Sequence, residues 1–439
     1  MKDQVFKFII ACSIVMLIVL VTILISVVYP FWERKAPLKE EFFLSEIDDM
    51  NFTNPIERGA VLGSHWFGRV QRTDGSYVYI FDPENDTEID RYPYSLARHS
   101  ASIYTLVWAY QHTGDERYLE AAEHAEGYVE PLIKEQGDLH YVLNGGSSRL
   151  FDNALALIGY CYLYNATGDD DHLDHLNGLA TLCLESLDDN GRFDYTYEWY
   201  LISSFEENMM ASGEGLLGLA LAYKFTGDER YLEGFERSAK YHMEYLTYNG
   251  CHNMSTAYYS WMASSFAEGY HLTGKQVYAD ACFKLSEWLI RNHYGRYFGY
   301  HGNFDEELLL EHPELWGSFR SYPSMNSCTY SEGLGDVLGV ATAINDTDRV
   351  GIYTNVLLNA SRFILNLMYD EDEAYGCRSP HLVMGGYRHD LFDKVNEKMG
   401  WQSGWIRIDY TQHAVGALYR MIENIPEETI IRYYQENSI

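Results

Sequence analysis

The segment Thr113-Gly114-Asp115-Glu116-Arg117-Tyr118-Leu119-Glu120 returns nearly unchanged as Thr226-Gly227-Asp228-Glu229-Arg230-Tyr231-Leu232-Glu233. Looser copies begin at Thr167 and Thr273, and a degenerate one runs Asn345-Asp346-Thr347-Asp348-Arg349-Val350. Self-similarity at intervals of roughly 50–70 residues marks an architecture built from repeated units. Each copy is a helix stop followed by a helix start. A glycine just past a helix end adopts the left-handed conformation without a β-carbon clash. The Asp that follows in most copies can cap the next helix, and acidic residues in its first turn suit the helix dipole. Each copy therefore reads as the tight turn of a helical hairpin.

The segments before these turns are rich in Ala, Leu and Gly, and the segments after them are more polar. The first kind is predicted to be helical over 98–111, 152–164, 214–225, 258–271 and 332–344, with a sixth at 409–422. Small residues on most faces suit helices buried nearly all round, and the polar partners suit an outer layer. Six inner helices predict an all-α, (α/α)6 toroid over 91–425, with an open solenoid as the alternative. The sixth outer helix would come from the N-terminal stalk or from 427–436. A β-hairpin is predicted over 66–81, around Asp74-Gly75 in an alternating stretch, within a stalk and hairpin segment at 32–90. Residues 426–439 form a C-terminal helix and tail.

Residues 8–31 are almost continuously apolar, behind a short tail at 1–7. Such a run is long enough to span a bilayer, so a single-pass transmembrane signal anchor is expected. Six Asn-x-Ser/Thr sequons, at Asn51, Asn85, Asn165, Asn253, Asn345 and Asn359, point to an extracytoplasmic body. The formal net charge of −32 argues against nucleic acid as a partner. The cysteines are scattered without a Cys-x-x-Cys pair, so no metal site is expected.

The repeat turns join inner-helix ends to outer-helix starts and so share one face. The connections on the opposite face are long, and long loops in a compact domain are usually functional. Inner-helix N-termini converge beneath them. The predicted first turns carry Arg98 and His99, Asp152, Glu214, Tyr259, Glu332, and Asp409 with His413. Several carboxylates facing one pocket raise one another's pKa, which can separate a proton donor from a base. Taken singly, Asp152 and Asp409 also read as helix caps, and His413 as a core histidine. Glu214 and Glu332 adjoin glycines, where close backbone approach is a better explanation than capping alone. Trp199, Trp316, Trp401 and Trp405 lie in aromatic-rich loops whose faces suit sugar rings or loop packing.

The pattern Arg98-His99-Ser100-Ala101-x-x-Tyr104-x-Leu106, then Ala109-Tyr110-x-x-Thr113-Gly114-Asp115, resembles the six-hairpin (α/α)6 superfamily. That group includes glycoside hydrolases, unsaturated-uronyl hydrolases, N-acylglucosamine and cellobiose 2-epimerases, and the C-terminal domain of glucuronyl C5-epimerases. The resemblance implies a carbohydrate substrate at the inner-helix N-termini. In a hydrolase, two of Asp152, Glu214, Glu332 and Asp409 would serve as acid and base. In an epimerase, Tyr259 or His413 would exchange a proton while Arg98 holds a uronate. The 2-epimerases use a histidine pair, but the fourth inner helix here opens Tyr258-Tyr259 instead. Neither reaction requires a metal or organic cofactor. A non-catalytic glycan- or protein-binding module is the competing class.

Overall fold

The computed structural model describes residues 35–47, 50–193, 205–249, 256–290, 324–391, 395–396 and 401–437. The chain divides into Met1–Leu38 and Lys39–Ile439, and the helical assembly belongs to the second unit. Helix α1 (Pro55–Val70) is followed by the strands β1 (Ile80–Asp82) and β2 (Thr87–Glu88). Hairpins then pair α2 (Leu96–Thr113) with α3 (Glu116–Val129) and α4 (Leu150–Thr167) with α5 (Asp170–Glu185). The antiparallel strands β3 (Ile133–Gln136) and β4 (Leu139–Val142) lie between these two hairpins. Three more hairpins pair α6 (Phe205–Thr226) with α7 (Glu229–Asn249), α8 (Thr256–Thr273) with α9 (Gln276–Leu289), and α10 (Met325–Ala343) with α11 (Thr347–Asn366). Short strands β5 (Val395–Asn396), β6 (Trp401–Gln402) and β7 (Ile406–Arg407) lead into α12 (Ile408–Asn424) and α13 (Glu427–Glu436).

Helices α2, α4, α6, α8, α10 and α12 touch in that order, and α12 returns to α2, so the ring is closed. This is the (α/α)6 toroid, and the open solenoid is set aside. Each outer helix covers its inner partner with one apolar stripe. In α3 the stripe is Tyr118, Ala121, Ala122, Ala125 and Val129, a helical spacing with one buried face. The sixth outer helix is α1, which packs on α12. It is therefore supplied from the N-terminal side, and α13 contacts α1 as an addition to the ring.

The repeat turns have the predicted chemistry. Gly114, Gly168, Gly227 and Gly274 have φ of 71°, 67°, 73° and 65°. In the degenerate copy Asn345 takes this place with φ of 61°, a conformation that Asn tolerates better than most side chains. Asp115, Asp169 and Asp228 each accept the backbone N–H two residues on.

Three expectations are corrected. The stretch 66–81 is not one hairpin, because α1 runs through Val70. Asn54 caps α1 by accepting the N–H groups of Ile56 and Glu57, and Pro55 opens it, a strong start signal. The Asp74-Gly75 turn is real, with a bridge between Gln71 and Tyr77, but the strand hairpin is β1–β2, pairing Phe81 with Glu88. Second, α6 and α10 begin at Phe205 and Met325, well before Glu214 and Glu332. Both glutamates therefore lie inside their helices and not in first turns. Third, the membrane-anchored localisation does not stand: among the described residues no helix is long and apolar enough to cross a membrane. The segment 8–31 lies outside the described residues.

The glycines beside the two glutamates are points of close approach. A β-carbon on Gly333 would meet the Cα and carbonyl oxygen of Ser260 at 2.9 Å, and one on Gly213 would meet Trp261 Cβ at 2.5 Å. Helices α6, α8 and α10 therefore come together backbone to backbone at the level of the cavity. Gly333→Ala is expected to cost about 1–3 kcal/mol, because main chain cannot move aside as a side chain would. Chemical denaturation checks this, and an unchanged midpoint would mean that the helices separate freely.

Candidate active site

A cavity of about 670 Å³ opens at the N-terminal end of the inner ring, and all six inner helices line it. Arg98 comes from α2, Phe151 from α4, Glu214 from α6, Trp261 from α8, Thr329 from α10, and Asp409, Gln412 and His413 from α12. Arg149 and Arg407, the residues immediately before α4 and α12, also line it. Strand β1 pairs Ile80 with Arg407, which ties the entry of α12 to the N-terminal segment.

Asp409 is gripped by two cations. Arg98 Nε donates to Oδ2 at 2.9 Å, and Arg407 donates through Nε to Oδ1 and through Nη2 to Oδ2, at 2.5 and 2.7 Å. Burial alone would raise the carboxyl pKa, but the Arg407 and Arg98 guanidinium groups overcome it and hold Asp409 well below the usual carboxylate range. Asp409 is a fixed anion. Asp152 is fully buried and accepts from Arg149 Nε at 2.9 Å. Burial raises its pKa, with Arg149 opposing.

Glu214 is different. It is buried, and among the described residues its Oε2 has no hydrogen-bond partner. Burial first, then the Asp152 charge, push its pKa up to about 8, with Arg98 pulling back. At neutral pH this carboxyl keeps its proton and can donate it.

His413 Nδ1 lies 2.6 Å from Glu332 Oε2. An ionised carboxylate can only accept, so Nδ1 carries the hydrogen and Nε2 is left as the basic nitrogen. Glu332 is itself held from below. Its Oε1 accepts from Gln412 Nε2 at 3.3 Å and from Arg420 Nη1 at 3.4 Å. Arg420 also donates to Asp336 at 2.7 Å and lies over the Trp108 ring. Glu332 does not line the cavity; it orients His413, which does.

The remaining candidates separate. Arg98, Glu214, Asp409 and His413 are brought to one cavity, with Asp152 directly behind Arg149. His99 is buried in the wall, where Nε2 donates to the Ala125 carbonyl and Nδ1 accepts from Tyr94 hydroxyl, both at 2.7 Å. Burial lowers its pKa to about 4, which keeps the ring neutral. Tyr259 is buried and stacks on Trp288 at 4.5 Å, away from the lining. Trp405 is buried beneath Arg91. Trp401 lies in β6, and Trp199 and Trp316 lie outside the described residues. Sequence reasoning missed Trp261, Arg149 and Arg407. The two arginines had a readable signal: each stands two or three residues before an aspartate at an inner-helix start, where a buried carboxylate needs a cation.

No protein-family model matches the sequence, and no curated protein matches it. Solved structures do match in fold. A D-mannose isomerase aligns with TM-score 0.59 at 14% identity, covering 87% of this chain and 98% of its own. A GH76 α-mannanase of Bacteroides thetaiotaomicron gives 0.55 at 14%, with 87% and 97% covered. An unsaturated glucuronyl hydrolase specific for heparin gives 0.55 at 12%, with 84% and 97% covered. All are six-hairpin (α/α)6-toroid enzymes, and this chain has their fold.

Proposed function

We propose that this protein is a carbohydrate-active enzyme that exchanges a proton at a carbon beside a sugar carbonyl, an epimerase or isomerase. The observation that carries the reading is the pairing in one cavity of an oriented imidazole, His413, with a neutral, unpartnered acid, Glu214. An imidazole base and a carboxylic acid turned to one cavity are what enolisation needs. His413 Nε2 takes the C–H proton, and that bond's electron pair becomes the new carbon–carbon double bond. The carbonyl oxygen receives the Glu214 proton. Return of a proton to the carbon, with Glu214 recovering its own, completes the exchange. Arg98 and Trp261 both line this cavity and suit substrate positioning, a guanidinium for polar groups and an indole for a sugar ring.

Hydrolysis by a carboxylate pair is less well supported. It requires one ionised carboxylate free to act as base or nucleophile. Asp409 is locked between two arginines, Asp152 is bonded to Arg149, and Glu332 is occupied with His413 and Arg420. A binding-only role does not explain why an orphaned buried acid with a pKa near neutrality is kept in the cavity.

The test is solvent isotope exchange. Purified protein incubated with candidate sugars in heavy water is expected to incorporate deuterium at one carbon, read by proton NMR. His413→Asn is expected to slow exchange at least about 100-fold, the scale of general-base catalysis. New reducing ends without deuterium incorporation would replace this reading with hydrolysis.

A further inference from the structure

We propose that the saccharide this cavity takes bears an oxyanion, a carboxylate or sulfate substituent, received by guanidinium nitrogens of Arg98, Arg149 and Arg407. The inference rests on the saccharide reading above and narrows its substrate class. Among the described residues, each arginine uses only part of its fork. Arg98 spends Nε on Asp409 and Nη1 on the Tyr79 hydroxyl, at 2.9 and 2.7 Å, leaving Nη2. Arg407 spends Nε and Nη2 on Asp409, leaving Nη1. Arg149 turns Nε and Nη2 to Asp152, at 2.9 and 3.5 Å, leaving Nη1. All three side chains line the same cavity.

The charge balance agrees. Among the described residues, three guanidinium groups face two paired carboxylates, Asp409 and Asp152, so one positive charge is left over. Glu214, the other carboxyl among the described lining residues, does not cancel it at neutral pH, because burial keeps it protonated. This surplus lies in a chain of net charge −32. A local positive site within a negative protein is not explained by overall composition, and it would concentrate an anionic group where the surrounding surface repels one. Arg98 and Arg149 are each 40% exposed at the side chain despite these bonds, and Arg407 is 13% exposed. Planar guanidinium edges match the geometry of oxyanions.

Calorimetric titration of the full chain with a disaccharide ending in glucuronic acid, its carboxyl-reduced counterpart ending in glucose, and a sulfated counterpart tests the assignment. One or both acidic sugars are expected to bind at least about 10-fold more tightly than the neutral one, the scale of a charge-assisted hydrogen bond. The two acidic arms identify which oxyanion is preferred. The preference is expected to shrink as salt rises from 20 to 500 mM, about the range over which screening becomes strong. Arg149→Gln is expected to reduce it further. The salt series on the unmodified protein keeps the test valid if that variant does not fold. Equal affinity for all three sugars, or a preference insensitive to salt, would overturn the inference. Deuterium exchange is measured on the same sugars. Exchange with no acid preference sinks the oxyanion assignment alone, and a salt-sensitive acid preference with no exchange sinks only the proton-transfer reading.

Discussion

Glu214→Gln is expected to leave a folded protein that is more stable than the parent above neutral pH and at least about 100-fold slower. The folded carboxyl titrates near pH 8, against 4.5 for the unperturbed group. Between those values the folded chain holds a proton that the unfolded chain has released. The stability contributed by the neutral carboxyl is fully present below pH 4.5 and is lost as pH rises through 8. Glutamine fills nearly the same volume and cannot ionise, so the variant has no such slope. Its advantage over the parent should grow from pH 5 to pH 9, reaching on the order of 3–5 kcal/mol at most. Urea denaturation of both proteins at the two pH values reads the difference. Parallel behaviour would mean that Glu214 is ionised at neutral pH, and the acid role would go with it.

Asp409→Asn should do the reverse. Removing the anion leaves Arg407, which is largely buried, and Arg98 without their shared partner. Breaking a buried ion pair from one side costs about 3–5 kcal/mol, and the partial exposure of Arg98 places the expected loss at about 3 kcal/mol. Because the folded pKa of Asp409 is depressed below the ordinary 3.8, its contribution is present above that value and lost as pH falls below it. The parent's lead over the variant should therefore be flat from pH 5 to 8 and shrink under stronger acid. Thermal unfolding across this range decides it. A variant as stable as the parent at pH 7 would mean that solvent or a rearranged carboxylate satisfies both arginines.

The repeat turns were legible because their chemistry is local. Glycine at positive φ, an aspartate after it and a change from small-residue to amphipathic helix all lie within a few residues of one another. From them the closed ring, its two faces and the convergence of the inner helices follow. Helix starts were less legible. Residues 205–213 include Glu206, Glu207 and Asn208, which read as loop, and neither Glu214 nor Glu332 marks a helix start. Glu332, seven residues into α10, is bonded to His413 and Arg420 beneath the lining, whereas Glu214, nine residues into α6, still lines the cavity. That difference separates an acid candidate from a residue that orients His413. The free acid and the locked one, Glu214 and Asp409, look alike in the sequence as carboxylates near inner-helix starts. Only the arginines contributed by α2 and by the residue before α12 tell them apart. The N-terminal outer helix was obscured because Trp66–Val70 also fits an alternating pattern when its cap at Asn54 is overlooked.

That helix has a consequence for how the molecule is made. Five hairpins join neighbours in sequence and can form as each pair leaves the ribosome. The sixth pairing joins α1 to α12, and the hydrogen bond between Ser64 and Tyr419 spans 355 residues. Of the ring's helices α1 is synthesised first, but it must wait for the final inner helix before its buried face finds its permanent partner. Contacts of such separation form late and leave apolar surface uncovered in the meantime. Asp409, Gln412 and His413 arrive on that same last helix. The cavity wall is therefore complete only when the two ends of the assembly meet, so a truncated or stalled chain yields an arc of hairpins without a closed cavity.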